Sequence, residues 1–344
     1  MIDTNNLHRY QALNLLGVIL LALSSSTIAS PLFESDDVIE LSLTGPLGDL
    51  IAEKEHETER TFVLREDGKE QLINVRVRGN SRKRICSFPP LRLEFINDNS
   101  RQTLFQGQSK LKLVTHCNDR GSSEKNLLEE YAAYKIFNLI TDISYRVRLA
   151  RITYTDSEEK IDQATIDRYG FLIESASELA DRTGGRPAEL NELSLQSLDS
   201  RQAARVFIFH YLIGNTDWSL VTADNDDSCC HNGDLFHIGS KIYLVPYDFD
   251  LSGLVNAWYA KPDPSLRISR VTRRLYRGYC ISAESLADAL GNIKSQQDKV
   301  VSEINQLPDY TQKDVDRTLR FLDGFFDELE NENKLLRSFE RRCL

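Results

Sequence analysis

The sequence predicts an α+β protein of two lobes, a β-rich first lobe carrying one helix and a mostly α-helical second lobe. Three observations predict it. Between residues 38 and 174, short stretches alternate apolar and polar side chains, and only 124–140 repeats at helical spacing. Beyond residue 198 the pattern turns helical over 198–214, 283–306 and 311–341, interrupted by one hairpin signal. Between the two regimes, residues 181–187 contain Gly184-Gly185 and Pro187 and read as a break. The division is residues 1–29, 30–180 and 181–344.

The first of these segments reads as an export signal. His8 and Arg9 precede an almost wholly apolar run at 13–23, and Ser24-Ser25-Ser26-Thr27-Ile28-Ala29 supplies small residues suited to signal-peptidase cleavage. The run is too short to span a bilayer comfortably. A cleaved signal peptide is expected, with an uncleaved anchor as the alternative, and no integral span once the signal is removed. No Cys marks the boundary, so there is no lipid-anchor signal. The expected location is secreted or periplasmic.

In the first lobe, strands are expected at 38–43, 61–65, 71–78, 91–96, 110–115, 146–154 and 169–174. Glu66-Asp67-Gly68-Lys69 is a hairpin loop between the second and third. The helix at 124–140 presents Leu128, Ala132, Ile136 and Leu139 on one face. In the second lobe, the helix at 198–214 ends at Gly214-Asn215, a good C-cap. Residues 235–238 and 242–245 are short strands joined by Gly239-Ser240, the signal for a II′ hairpin. The pattern at 311–341 is amphipathic, using Val315, Leu319, Leu322, Phe326, Leu329 and Leu336.

Composition narrows the functions. A formal charge of -10 argues against non-specific nucleic-acid binding, which needs a positive field to displace counterions. The six cysteines, Cys86, Cys117, Cys229, Cys230, Cys280 and Cys343, lie beyond the signal, where an even number favours disulfides. Cys86 with Cys117 is the expected N-terminal pair. Adjacent Cys229 and Cys230 are each expected to find a distant partner. Zinc is a weak rival, because no Cys-x-x-Cys or His-x-x-x-His spacing occurs.

The chemistry concentrates between Gly214 and Asp250. Asp217 stands in the loop after the capped helix, Asn232 just before the hairpin, and Asp248 and Asp250 just past it. That layout suits a divalent cation: Mg²⁺ takes one or two carboxylates and leaves places for water and phosphate. A cleft between the lobes is the natural place for a ligand.

The order of elements and motifs is that of a protein-kinase-like fold. Within that group the chain resembles the spore coat protein H (CotH) kinase family of secreted atypical kinases. The resemblance is carried by Val77-Arg78-Gly79-Asn80-Ser81, Pro90-Leu91-Arg92-Leu93-Glu94-Phe95 and Tyr169-Gly170-Phe171-Leu172-Ile173-Glu174. It continues in Gly214-Asn215-Thr216-Asp217-Trp218 and Val245-Pro246-Tyr247-Asp248-Phe249-Asp250, and covers about residues 75–255. It implies that Asp217 is the base for an attacking hydroxyl, and that Asn232, Asp248 and Asp250 hold Mg²⁺ (or Mn²⁺) against ATP. Asn225 competes with Asn232, because kinases place that Asn about five residues after the Asp. Lys112 is the expected phosphate-binding cation, with Glu129 or Glu130 as its helix partner and Arg92 as its competitor. Glu174 would sit at the hinge near an adenine. Trp218 reads as loop packing, and His210 as a satisfied core residue.

One cluster stands apart: Arg267, Arg270, Arg273, Arg274 and Arg277 within an acidic chain. It reads either as a solvated face paired with surplus acids or as a surface recognising an acidic or phosphorylated partner. The functional expectation is a Mg-dependent transfer of the γ-phosphoryl group of ATP to a Ser/Thr-type hydroxyl of an exported protein substrate, an acidic one if the arginine cluster recognises it. The alternatives are a non-catalytic binding module, or a metal-dependent nucleotidyl- or glycosyl-transferase.

Overall fold

In the computed structural model, the described residues are 31–96, 103–163, 165–221 and 229–344. The segment 1–29, expected to be an export signal, and Asn225 lie outside them. Seven strands of the first half close into a barrel. The strands β1 (Ile39–Gly45), β2 (Arg60–Glu66), β3 (Lys69–Val77), β4 (Leu91–Phe95) and β5 (Lys110–Val114) pair antiparallel in sequence order. Next to β5 comes β7 (Thr165–Ile173), and β6 (Val147–Asp156) completes the ring by running parallel to β1.

Alternation decides which side chains fill the barrel. Ile73, Val75 and Val77 of β3 point inward with Leu41, Leu64, Leu93, Leu113 and Tyr154. The opposite phase puts Arg76, Arg92 and Lys112 in one row across the outer face, because Arg76 registers with Arg92 and Arg92 with Lys112. At the β2–β3 turn, Asp67 and Gly68 have φ of 47° and 73°, the left-handed pair that a tight hairpin requires.

The helix α3 (Gly121–Ile140) joins the barrel to the second half. Its Tyr131 and Tyr134 pack on Phe171 of β7, and its Phe137 packs on Phe209 of α5 (Ser200–Ile213). One apolar core therefore runs from the outer barrel wall into the helices. Behind α5 lie α6 (Ala283–Ser295), α7 (Gln297–Asn305), α8 (Gln312–Leu329) and α9 (Glu332–Glu340). The helical patterns expected at 283–306 and 311–341 are thus each broken in two. A small sheet of β8 (Arg186–Ala188), β9 (Gly233–Ile238) and β10 (Lys241–Pro246) faces α5, and Gly239 turns the hairpin with φ 59°.

The expected two-lobed protein-kinase-like fold is corrected by this architecture. The sheet is closed, and α1 (Leu47–Ala52), α2 (Ser81–Ile85) and α4 (Ala176–Thr183) join α3 in a first half that was expected to hold one helix. Closure depends on the parallel pairing of β1 with β6, from Ile39↔Ala150 to Gly45↔Asp156. Hydrophobic alternation says which face of a strand is buried, not which distant strand lies beside it. The short helices run to between five and eight residues, too few for a 3.6-residue period to declare itself.

Disulfides join Cys86 to Cys117, Cys280 to Cys343 and Cys229 to Cys230. Disulfides are typical of proteins from oxidising compartments. The first pair is as expected; the last corrects the expectation of distant partners. Cys280 N donates to Leu344 O and Leu344 N to Gly278 O, which seats the chain end beside Cys280 and leaves the adjacent cysteines to each other. Among the described residues, no helix is long and apolar enough to cross a membrane.

His116 gives the barrel a pH-dependent weakness. It is fully buried against Phe88, ring centroids 4.6 Å apart, and among the described residues neither ring nitrogen has a hydrogen-bond partner. The Asp119 carboxylate at 3.8 Å is beyond hydrogen-bond reach and largely exposed. Burial, followed by the fields of Arg168 and Arg82, pulls the His116 pKa down to about 3. The folded state keeps this ring neutral, whereas the unfolded chain protonates it below about 6.5. Stability is therefore intact above that pH and is lost as the pH falls toward the folded value. His116→Leu should gain on the parent by about 1.4 kcal/mol per pH unit between about pH 6 and about pH 4. Urea unfolding at several pH values reads this directly; a difference that does not change with pH would contradict it.

Candidate functional site

The site is built around the end of α5. This helix is capped at Asp199, whose carboxylate accepts Gln202 N–H at 2.9 Å, and it ends at Gly214 with φ 64°. That left-handed residue turns the chain so that Asn215 N–H donates to His210 O at 2.8 Å. Asn215 is buried, and its Oδ1 accepts Asp217 N–H at 2.9 Å, a local turn that fixes the Asp217 backbone. Trp218 is buried and stacks on His210, centroids 4.5 Å apart, so it packs the loop as expected.

Asp217 meets the strand side of the site through two neighbours. Asn232 Nδ2 donates to Asp217 O at 2.8 Å and to Asp217 Oδ2 at 2.9 Å. His231 Nε2 lies 3.1 Å from Asp217 Oδ1, and that carboxylate raises the imidazole pKa above its ordinary value. The hairpin then carries the chain back: Gly233 registers with Pro246, and Tyr247 N–H donates to Asn232 O at 3.2 Å. The hairpin thus brings Asp217, Asn232 and Asp248 into one neighbourhood, despite their spread along the chain.

Phe249 anchors the acidic motif. It is fully buried between Tyr134 (centroids 4.6 Å apart) and Phe209 (5.2 Å), so Asp248 and Asp250 flank a fixed core residue. Asp248 has φ 61°, and its N–H donates to Tyr134 Oη at 3.0 Å. Asp250 is buried, accepts Tyr259 Oη–H at 2.9 Å and lies 3.9 Å from Arg82 Nε. Burial, reinforced by the charge of Asp248, pushes the Asp250 pKa up to about 7, against the pull of Arg82.

Arg82 is the buried hinge of this region, and nothing in the sequence pattern marked it. Its Nη1 donates to Glu130 Oε2 at 3.0 Å and its Nη2 to Thr115 O at 2.9 Å. Burial and the nearby aspartates raise the Glu130 pKa, while Arg82 opposes them. Glu130 is therefore the partner of Arg82, not of Lys112. Glu129 faces elsewhere, accepting Tyr310 Oη–H at 2.6 Å and Arg317 Nη2–H at 2.7 Å from the helical half. Burial raises its pKa too. Glu174 is bound by Arg182 at 2.8 Å and accepts Arg146 N–H at 3.0 Å, so its carboxylate is fully engaged in joining loop to helix. The structure does not bring Glu129 or Glu174 to the cleft.

A cleft between the outer barrel face and the acidic motif is lined by Arg78, Gly79, Lys112, Tyr145, Tyr247 and Asp248, among others. Lys112 sits 5.0 Å from the Tyr247 ring centroid and, among the described residues, makes no ion pair or hydrogen bond. Burial, followed by Arg78, lowers its pKa. Arg78 likewise has no direct side-chain partner among the described residues; burial lowers its pKa while Asp248 across the cleft supports its charge. Arg92, next to Lys112 in register, leaves its Nε buried with no partner among the described residues. Among the described residues, three neighbouring cations thus lack acids in contact. Among the described residues, no three His, Cys, Asp or Glu side chains form a group that could hold a metal ion by themselves.

No family model matches the chain, and no curated protein matches it.

Proposed function

We propose that the chain transfers the γ-phosphoryl group of a nucleoside triphosphate, ATP in the first instance, to a hydroxyl of an exported protein. The supporting observation is the cluster of Arg78 with Arg92 and Lys112, the last two in register, whose charges lack acid partners in contact among the described residues, with Asp248 across the cleft and Asp217 joined to it through the hairpin. Half-buried cations without a counter-charge in contact are what a triphosphate satisfies. This is the chemistry that the CotH resemblance implies, here carried by the cleft and not by the fold.

Asp217 accepts the proton of the acceptor hydroxyl as its oxygen bonds to the γ-phosphorus. The bond from that phosphorus to the β-bridging oxygen breaks, and the diphosphate leaves with its charge held by Arg78 and Lys112. Asn215 fixes the Asp217 backbone, Asn232 and His231 hold its carboxylate, and Tyr145 and Tyr247 give the cleft flat walls.

A divalent cation fits this donor set only in company. Asp248 lines the cleft and Asn232 keeps its Oδ1 free of the bonds to Asp217, whereas Asp250 is engaged by Tyr259 and lines the neighbouring pocket with Arg82. One carboxylate and one amide oxygen are too few for a resident cage but would suit Mg²⁺ or Mn²⁺ shared with phosphate and water. When bound there, the ion supplies charge neutralisation between phosphate oxygens.

The test compares γ-labelled with α-labelled ATP in the presence of Mg²⁺ or Mn²⁺, with a thermal-shift measurement alongside. Label should pass to protein from the γ position, and nucleotide should raise the melting temperature. Transfer of the α label instead would mean nucleotidyl transfer and sink the phosphoryl reading. Absence of any shift with any nucleotide would remove the donor site itself.

A further inference from the structure

The segment after Asp250 carries charge of the opposite sign to the molecule as a whole. The chain has a formal charge of -10, and arginines such as Arg60, Arg65, Arg76 and Arg151 are bridged to acids. Arg267, Arg270 and Arg273 differ. All three are exposed, and among the described residues none makes a side-chain hydrogen bond or ion pair. Among the described residues they neutralise no surplus acid.

The segment that bears them is firmly seated beside the proposed site. Val271 is buried, and its carbonyl oxygen lies where a Cβ on Gly214 would meet it at 3.4 Å and one on Gly253 at 2.6 Å. The backbone between the exposed arginines therefore rests on the cap before Asp217 and on the turn after Asp250. Arg274 donates to Leu212 O at 3.2 Å and to Phe321 O, and Arg277 donates to Thr216 O, one residue before Asp217. Two arginines of the run tie it to the end of α5, and three face outward from the same ribbon. The acid of this segment, Asp263, caps its own turn through Ser265 N–H at 2.8 Å and lies in the field of Arg277.

An acidic protein gains nothing in solubility from a patch of unpaired arginine. Forked, permanently charged donors beside a reaction centre orient and attract carboxylates. We propose that Arg267, Arg270 and Arg273 dock an acidic polypeptide segment, a run of Asp and Glu side chains, that places a neighbouring hydroxyl at Asp217. Calling that segment the acceptor rests on the phosphotransfer reading; the docking itself does not.

The experiment is fluorescence anisotropy on the full chain without nucleotide. The probes are a short labelled peptide of Asp and Glu around one Ser, and its Asn/Gln counterpart. The acidic peptide should bind at least about tenfold more tightly, and a rise from about 50 mM to about 200 mM salt should weaken it. The R267A/R270A/R273A variant should bind the acidic peptide about tenfold more weakly, the product of three modest exposed ion pairs. These side chains are exposed and make no contact with an acid among the described residues, so the fold is expected to survive, and an unchanged melting temperature verifies it. Equal binding of the amide peptide, or no loss in the triple variant, overturns the proposal. An oligonucleotide of equal charge binding as tightly also overturns it, because the patch would then be a general polyanion surface. Asp217→Asn should bind the acidic peptide as the parent does. Docking without phosphotransfer would thus sink the catalytic reading alone, and phosphotransfer without docking would sink this proposal alone.

Discussion

Asp217→Asn is expected to lower phosphoryl-transfer turnover by about two to four orders of magnitude, while nucleotide affinity stays within a factor of about three. The substitution is nearly isosteric, and the surrounding bonds can re-form. An Asn oxygen can still accept from Asn232 Nδ2, now 2.9 Å away, and its amide can donate to a neutral His231 ring. What disappears is the capacity to take a proton. The side chain is also 36% exposed, so no orphaned group is buried by the change. Single-turnover assays with γ-labelled ATP would measure the chemical step, and calorimetry would measure affinity. If turnover survives within about fivefold, Asp217 is not the base. If affinity collapses in parallel, Asp217 is part of the binding scaffold and its proposed role is mistaken.

How far this site could be read from sequence depends on the physics behind each residue. The link from Asn232 to Asp248 was legible because an antiparallel hairpin forces its two flanks together, whatever lies in the preceding insertion. Gly239-Ser240 at the turn fixed the register that sets Gly233 opposite Pro246. The end of α5 was legible for a similar reason, since Gly214 supplies a left-handed cap. Glu129 and Glu130 were not separable. Adjacent residues on a helix point about 100° apart, and their shared neighbourhood in sequence does not say which one faces the barrel. One meets Arg82 and the other meets Arg317.

Arg82 and the barrel itself were illegible for a different reason. Arg82 sits in a five-residue helix with no period to read, and its importance comes from tertiary neighbours: Glu130, Thr115 and Asp250. Closure of the sheet likewise rests on a partnership between β1 and β6 across more than half of the first lobe. Local patterning specified the strands, while their order was decided by contacts that no local pattern encodes.

Lys112→Met is expected to move two observables in opposite directions. The ligand-free protein should become more stable by on the order of 1 kcal/mol, and nucleotide affinity should fall by about a hundredfold. The first effect follows from the unpaired charge. Lys112 lies in the field of Arg78 and Arg92 and, among the described residues, has no acid in contact, so burial depresses its pKa. Methionine keeps an unbranched stem against Tyr145 and Tyr247 and removes the desolvated ammonium, although it forfeits the attraction to the Tyr247 ring at 5.0 Å. The second effect follows because the same ammonium is the charge that a triphosphate would neutralise. A residue kept for packing would behave in the reverse manner, losing stability on substitution and leaving affinity alone. Urea unfolding without ligand and calorimetry with ATP separate the two cases. Arg92→Met provides the internal comparison, since Arg92 stands beside Lys112 in register on β4. If the larger loss of affinity falls there, the phosphate-binding cation belongs to β4 and not to β5.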